Sequence, residues 1–285
     1  MHFFYRLLLI ALLVPVAALA QQSAPPPKAA PEEPGIQDNS FLIEEAYNQE
    51  PGVIQHISFF QRSFDSKSWV YVFTQEWPVG GQKNQLSYSV AATHSGDFPG
   101  SGAGWGDTAL NYRYQLIGSG ETRVAFSPRI SALLPSGDSR AGRGFGGAGI
   151  QTMLPLSVVL NKKLVTHWNV GATWIPCAKN ELGQQADANG YTLGQSTIWL
   201  VSNRFNVMLE SIWTGNESVV GPSKTQRSHD LLISPGVRWA YNFKSKLQIV
   251  PGVAFPIGAG PSAGDNGIIL YLSFEHPWSI IGGKH

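Results

Sequence analysis

From about residue 52 onward, apolar and polar side chains alternate with a period of two. In GWGDTALNYRYQL, Leu110, Tyr112, Tyr114 and Leu116 share one parity, and Asp107, Asn111, Arg113 and Gln115 share the other. Successive side chains of a strand point to opposite faces, so this pattern predicts a strand with one apolar and one strongly polar face. About twelve such stretches follow one another: 53–62, 68–78, 84–93, 106–117, 122–134, 149–160, 164–175, 191–201, 204–213, 229–241, 246–257 and 267–276. The first and the eighth alternate least cleanly. The chain is therefore expected to be all-β and antiparallel. Which face meets water decides between a soluble barrel or sandwich and a barrel set in lipid.

Several features favour lipid. Charged residues are 14% of the 285 residues, against about 25% in a typical soluble domain. Lys67, Lys83, Lys162, Lys163, Lys179, Lys224, Lys244 and Lys246 fall in connections or at strand edges. A water-facing strand surface would carry lysine mid-strand; a lipid face cannot, at about 2–4 kcal/mol per mid-membrane Arg or Lys. Connections alternate short and long, with 94–105, 135–148, 176–190, 214–228 and 258–266 as the long ones, which suits an even-stranded up-and-down barrel. Trp69, Trp77, Trp105, Trp174, Trp213, Trp239 and Trp278 lie toward strand ends, where a ring with one N–H prefers the headgroup level. The expected fold is a transmembrane β-barrel of about twelve strands.

The N-terminus is consistent with export. Arg6, the apolar run Leu7 to Val14 and Ala18-Leu19-Ala20 have the order of a secretory signal peptide, here residues 1–20. QQSAPPPKAAPEEPG, residues 21–35, reads as a Pro-rich periplasmic tether. Residues 36–50 are expected as a short N-terminal segment, able to form a short helix, before a barrel over 51–285. Glu44, Glu45 and Glu50 read there as solvated carboxylates. Cys177 is the single cysteine, and it is expected as a passive loop thiol.

Pro128, Pro155, Pro235 and Pro251 fall inside expected strands. Proline lacks the ladder N–H, so a ring of local bulges at one height is expected. By parity Glu76, Asp107, Arg113, Arg123, Arg129, Glu210, Arg238 and Glu275 point into the lumen as candidate solute contacts. Glu210 and Arg238 are expected to form a cross-strand pair. Arg113, Arg129 and Arg238 near mid-height would favour anionic or aromatic solutes. Twelve strands lie between side-chain-filled and open-channel barrels, so a narrow or gated path is expected.

The strings NSFLIEEAYNQEPGVIQHISFF, WVYVFTQEWPV, GWGDTALNYRYQL, FSPRISALLPSGD, RFNVMLE, SPGVRWAYNF and LYLSFEHPW resemble the family named for the MetA pathway of phenol degradation, over about residues 39–278. That resemblance implies an outer-membrane transporter-like barrel passing small aromatic or apolar compounds. It brings no set of functional residues.

Other chemistry finds less support. A formal charge of +1 gives no electrostatic case for nucleic acid. His167 with Asn169, and His229 with Asp230, lack a serine that spacing would pair with them, and no G-x-S-x-G is present, so an enzyme is not expected. His56, His94, His167, His229 and His276 show no metal-ligand spacing, and no metal or cofactor is expected. RAGRGFGGAG, residues 140–149, reads as an outer loop in contact with lipopolysaccharide. Outer-membrane lipid and a small-molecule solute are the expected partners. Two alternatives remain open: a non-conducting structural or adhesive barrel, and a soluble periplasmic β-protein.

Overall fold

The computed structural model describes residues 36, 39–96 and 102–278. The expected signal peptide and Pro-rich tether lie outside the described residues. Strands β1 (Val53–Ser63), β2 (Trp69–Pro78), β3 (Asn84–His94) and β4 (Gly104–Tyr114) come first. Then follow β5 (Val124–Phe126), β6 (Arg129–Leu134), β7 (Gly149–Asn161), β8 (Leu164–Lys179), β9 (Gln185–Ser202) and β10 (Phe205–Gly221). The chain finishes with β11 (Lys224–Trp239), β12 (Tyr241–Asn242), β13 (Gln248–Ala254), β14 (Ile257–Gly258) and β15 (Gly267–Pro277).

Each segment pairs antiparallel with its neighbours, and β1 pairs with β15 along its whole length. The sheet therefore closes on itself. Three staves are each built of two segments (β5 with β6, β11 with β12, β13 with β14), which makes a closed barrel of 12 strands. Closure leaves no free edge, so every stave finds ladder partners on both sides. The expected strands at 53–62 and 191–201, the least regular in sequence, are both present as β1 and β9.

The faces are inverted relative to a soluble barrel. Leu110, Tyr112, Tyr114, Leu116, Ile130, Leu154, Leu193, Trp199 and Leu209 are exposed on the outside. Gln55, Gln85, Asn111, Arg113, His167, Asn169, Ser196, Glu210 and Arg238 are buried on the inside. An apolar outer band around a polar interior is the arrangement lipid demands.

Two expectations about connections are corrected. The stretches 176–190 and 214–228 are not long loops: β8 and β9 extend to a turn at 180–184, and β10 and β11 to a turn at 222–223. These hairpins extend past the apolar band, where small residues such as Ala178, Ala186 and Ala188 are buried and Asp187, Asn189 and Asn216 are exposed, so the apolar-outward alternation of the band does not continue there. Glu217 lies opposite Arg227 in register, and their side chains form an ion pair at 2.9 Å. Cys177 accordingly sits in β8, exposed, at a register shift between Ile175 and Ala178.

Three of the four prolines lie at gaps in the ladder rather than at bulges. Pro128 occupies the break between β5 and β6, and Pro155 of β7 faces that same break, since Phe126 pairs with Leu156 and Arg129 with Met153. Two residues without N–H thus meet at one gap in the ladder. Pro235 similarly faces the break between β13 and β14, where its carbonyl accepts the Phe255 N–H at 3.0 Å. Pro251 stays within a continuous β13. The register shifts lie elsewhere, for example between Val90 and Ala92.

Candidate functional site

The polar interior is filled at one end by the chain's own N-terminal segment. The Ile36 N–H donates to the Asn203 carbonyl in the β9–β10 turn at 2.8 Å. On the opposite wall, Asn48 Nδ2 donates to the Gln82 carbonyl in the β2–β3 turn at 2.8 Å. Between these points residues 39–50 cross the lumen near the rim where β1 begins and β15 ends. The expected short helix is not formed, and Glu44 and Glu45 are not in free solution. A helix of this length is marginal by itself, and here the barrel wall supplies the partners that the backbone needs.

Those partners are side chains, one after another. Glu210 Oε1 accepts the N–H groups of Phe41, Leu42 and Ile43 at 3.1, 2.8 and 3.1 Å. Three successive amides converging on one carboxylate form an anion nest. Asn169 accepts from Glu44 N–H at 2.7 Å and donates to the Glu44 carbonyl at 2.8 Å. Ser157 Oγ accepts from Ala46 N–H at 2.8 Å. Gln115 accepts from Asn48 N–H at 3.0 Å and donates to the Ala46 carbonyl at 2.8 Å. Gln85 accepts from Gln49 N–H at 2.7 Å. An irregular backbone buried in a barrel is tolerated only when its polar groups are met in this way.

Charge reinforces the attachment. Glu44 is gripped by Arg129 Nη2 at 2.6 Å and Arg113 Nη2 at 3.0 Å, while Arg113 Nη1 lies 3.8 Å from Glu45. Burial alone would push the Glu44 carboxyl up, but Arg129 and Arg113 outweigh it and bring it down to about 2. Arg113 Nη1 also donates to the Tyr47 carbonyl at 3.0 Å. Arg238 donates to the Asn39 carbonyl and lies over the Tyr271 ring, 4.8 Å from its centroid.

Packing completes the fit. The Phe41 ring meets Tyr271 edge-on at 5.4 Å and lies against Gly236 and Gly252, where an added Cβ would come within 2.6 and 2.7 Å of the ring. A Cβ at Gly194 would stand 2.2 Å from Ile43 Cδ1. These three glycines leave room for the segment. Nothing in their local sequence distinguishes them from glycines of a strand, so they are not identifiable before the segment is seen in place.

Of the eight candidate solute contacts, six surround the segment or its immediate support. Arg113, Arg129, Glu210 and Arg238 bond it directly. Glu76 accepts from Gln85 at 3.0 Å, and Glu275 accepts from Gln55 at 2.6 Å; both thereby brace glutamines of the wall. Asp107 lies toward the opposite rim, where it accepts the N–H groups of Gly137 and Phe145 at 2.9 and 2.7 Å and pins loop 135–148. Arg123 precedes β5 and is exposed at the rim, outside the lumen that parity assigned to it. The expected Glu210–Arg238 pair is also corrected. Glu210 lies opposite Ser234, and Arg238 opposite Asn206, so the two are offset along the strands and each reaches for the segment instead.

His167 has a neighbour that spacing does not reveal: its Nδ1 is 2.7 Å from Ser157 Oγ. That hydroxyl also takes the Ala46 N–H, so the pair anchors the segment. Beyond the segment, toward the opposite rim, a cavity of about 260 Å³ is lined by Gln61, Val70, Thr93, His94, Leu232 and Pro256.

No family model and no curated protein matches the chain. Among solved structures it is similar to the COG4313 outer membrane channel from Pseudomonas putida F1, with 13% identity, 81% of this chain and 97% of that chain covered, and a TM-score of 0.62. It is also aligned with the NanC porin at 9% identity (78% and 98% covered, TM-score 0.48) and with the KdgM porin at 10% identity (79% and 98% covered, TM-score 0.46). At 13% identity, the likeness to the COG4313 channel shows the barrel fold alone.

Proposed function

We propose that this chain is an outer-membrane channel for small solutes, closed at one end by its own residues 39–50. The observation that carries the reading is the filled lumen. Four of the wall residues expected to meet solute, Arg113, Arg129, Glu210 and Arg238, are engaged by a covalently attached segment through hydrogen bonds and ion pairs, which water and solute can replace. An apolar outer band with a polar interior supports placement in the outer membrane, as does the resemblance of the fold to an outer membrane channel. The rim where β1 begins is assigned to the periplasm, because loop 135–148 and the extended β8–β9 and β10–β11 hairpins lie at the other rim, and outer-membrane barrels carry their longer connections on the outer side.

In this reading a solute collects in the cavity beyond the segment. It then passes when the segment withdraws and uncovers Arg113, Arg129 and Arg238. Those guanidiniums favour anionic and aromatic solutes, the latter by stacking and cation–π contact. The resemblance to the family named for the MetA pathway supports aromatic compounds as the solute class. The test is flux into proteoliposomes, with a panel of small aromatics, sugars and ions. Aromatic uptake above that of protein-free vesicles is expected. Absence of flux for every member would favour a non-conducting structural barrel.

A further inference from the structure

The outer surface carries a two-histidine arrangement at the seam that closes the barrel. His56 lies in β1 and His276 in β15, the first and last staves, where Ile54 pairs with His276 and His56 with Phe274. Their strand neighbours Gln55 and Glu275 bond to each other inside the lumen, so both imidazoles point outward. The two Nε2 atoms are 3.1 Å apart, and the rings are stacked with centroids 5.2 Å apart. His276 Nδ1 lies 3.0 Å from the Pro277 carbonyl. A carbonyl only accepts, so Nδ1 carries the proton and the Nε2 lone pair of His276 faces His56. Phe73 stacks on His56 with centroids 6.1 Å apart, which restricts the second ring.

We propose that His56 and His276 bind a divalent transition-metal ion, Cu²⁺ or Zn²⁺, through their Nε2 atoms. At a metal–nitrogen length of about 2.0–2.1 Å, two ligands on a tetrahedral ion stand about 3.3 Å apart, close to the separation found here. Imidazole suits these borderline ions. An Nδ1–H held by a backbone carbonyl is the outer-shell arrangement that orients a metal-binding histidine and makes it more basic. His56 needs only to move its proton from Nε2 to Nδ1 to present its own lone pair, so no co-reactant is required. Among the described residues no group of three or more His, Cys, Asp or Glu side chains gathers, so water completes the coordination. The pair lies close to the rim, since two residues beyond His276 the Trp278 N–H donates to the Gly52 carbonyl at 2.7 Å, where the barrel ends. That height puts the site within reach of the aqueous phase. Bound there, the ion would cross-link the first and last staves.

The test is a Cu²⁺ titration of the full mature protein, without an affinity tag, in detergent. It is followed by calorimetry and by electron paramagnetic resonance. One equivalent per barrel is expected, with hyperfine splitting from two nitrogens, and with a higher temperature for the conversion of the folded to the unfolded gel band. His56→Ala and His276→Ala should each lose the two-nitrogen spectrum and the thermal shift, while His229→Ala keeps both. Should His276→Ala fail to fold, His276→Gln, which retains a donor for the Pro277 carbonyl, replaces it. No stoichiometric uptake by the wild type, or a spectrum unchanged in both variants, would overturn the proposal and leave a simple imidazole–imidazole hydrogen bond. None of these readouts depends on conduction.

Discussion

Replacing Glu44 by glutamine removes one charge from the centre of the segment and leaves its shape. The magnitude follows from the carboxyl itself. Its pKa is brought from 4.5 to about 2 by Arg129 and Arg113 against the opposing effect of burial. At about 1.36 kcal/mol per pH unit, that gap corresponds to about 3 kcal/mol favouring the seated segment. Breaking a buried ion pair by removing one partner costs about 3–5 kcal/mol, which agrees. Since about 1.4 kcal/mol is a factor of ten, Glu44→Gln should raise the ratio of released to seated segment roughly a hundredfold. Acid should act in the same direction. A depressed pKa gives stabilisation that is complete above the ordinary value of 4.5 and is lost as pH falls toward 2. Single-channel recording in planar bilayers reads both effects as open probability. Wild type should open more often as pH falls from about 4.5 to about 2, whereas Glu44→Gln should start high and change less over that window. Equal open probability in the two proteins at neutral pH, with the same acid response, would refute the reasoning.

Other perturbations address the remaining attachments. Glu210→Ala strips the acceptor from three amides, at about 1–3 kcal/mol for each that stays buried without water; hydrogen exchange at Phe41, Leu42 and Ile43 should accelerate, and less so in Glu210→Gln. Gly252→Val places a side chain where the Phe41 ring lies, so limited proteolysis should cut within 39–50 while heat-modifiable migration shows the barrel still folded. Ser40 Oγ and Ser196 Oγ are 2.6 Å apart, so Ser40→Cys with Ser196→Cys, in a Cys177→Ser background, should form a disulfide that suppresses openings until reductant is added.

Much of the barrel is legible in the sequence, because lipid on one side and a polar lumen on the other impose a strict period of two. Leu110, Tyr112 and Tyr114 face outward, and Asn111, Arg113 and Gln115 inward, as alternation requires. The pattern fails where its cause is absent. In the upper parts of β8 to β11 the outward face meets water and the buried residues are small, such as Ala178, Ala186 and Ala188, so Glu217 and Arg227 read as loop residues although they pair across two strands. The segment 39–50 is the larger omission. FLIEEAYNQE has no period of its own, since its conformation is set by Glu210 of β10, Asn169 of β8, Ser157 of β7 and Gln115 just past the end of β4. The wall residues are recognisable as lumenal, but no local signal shows that their partner is the chain itself. Arg123 shows the converse limit: parity gives a direction, and only the strand's end decides whether a lumen is still there.

Deleting residues 39–50, with residues 1–38 and every wall residue retained, tests most directly whether the segment closes the channel. Single-channel conductance is the measurement. The deletion variant should show stable openings with a conductance well above that of the wild type, and adding Glu44→Gln to the wall-intact parent should approach the same open state. A folded deletion variant whose conductance equals that of the wild type would contradict the closure assigned to this segment.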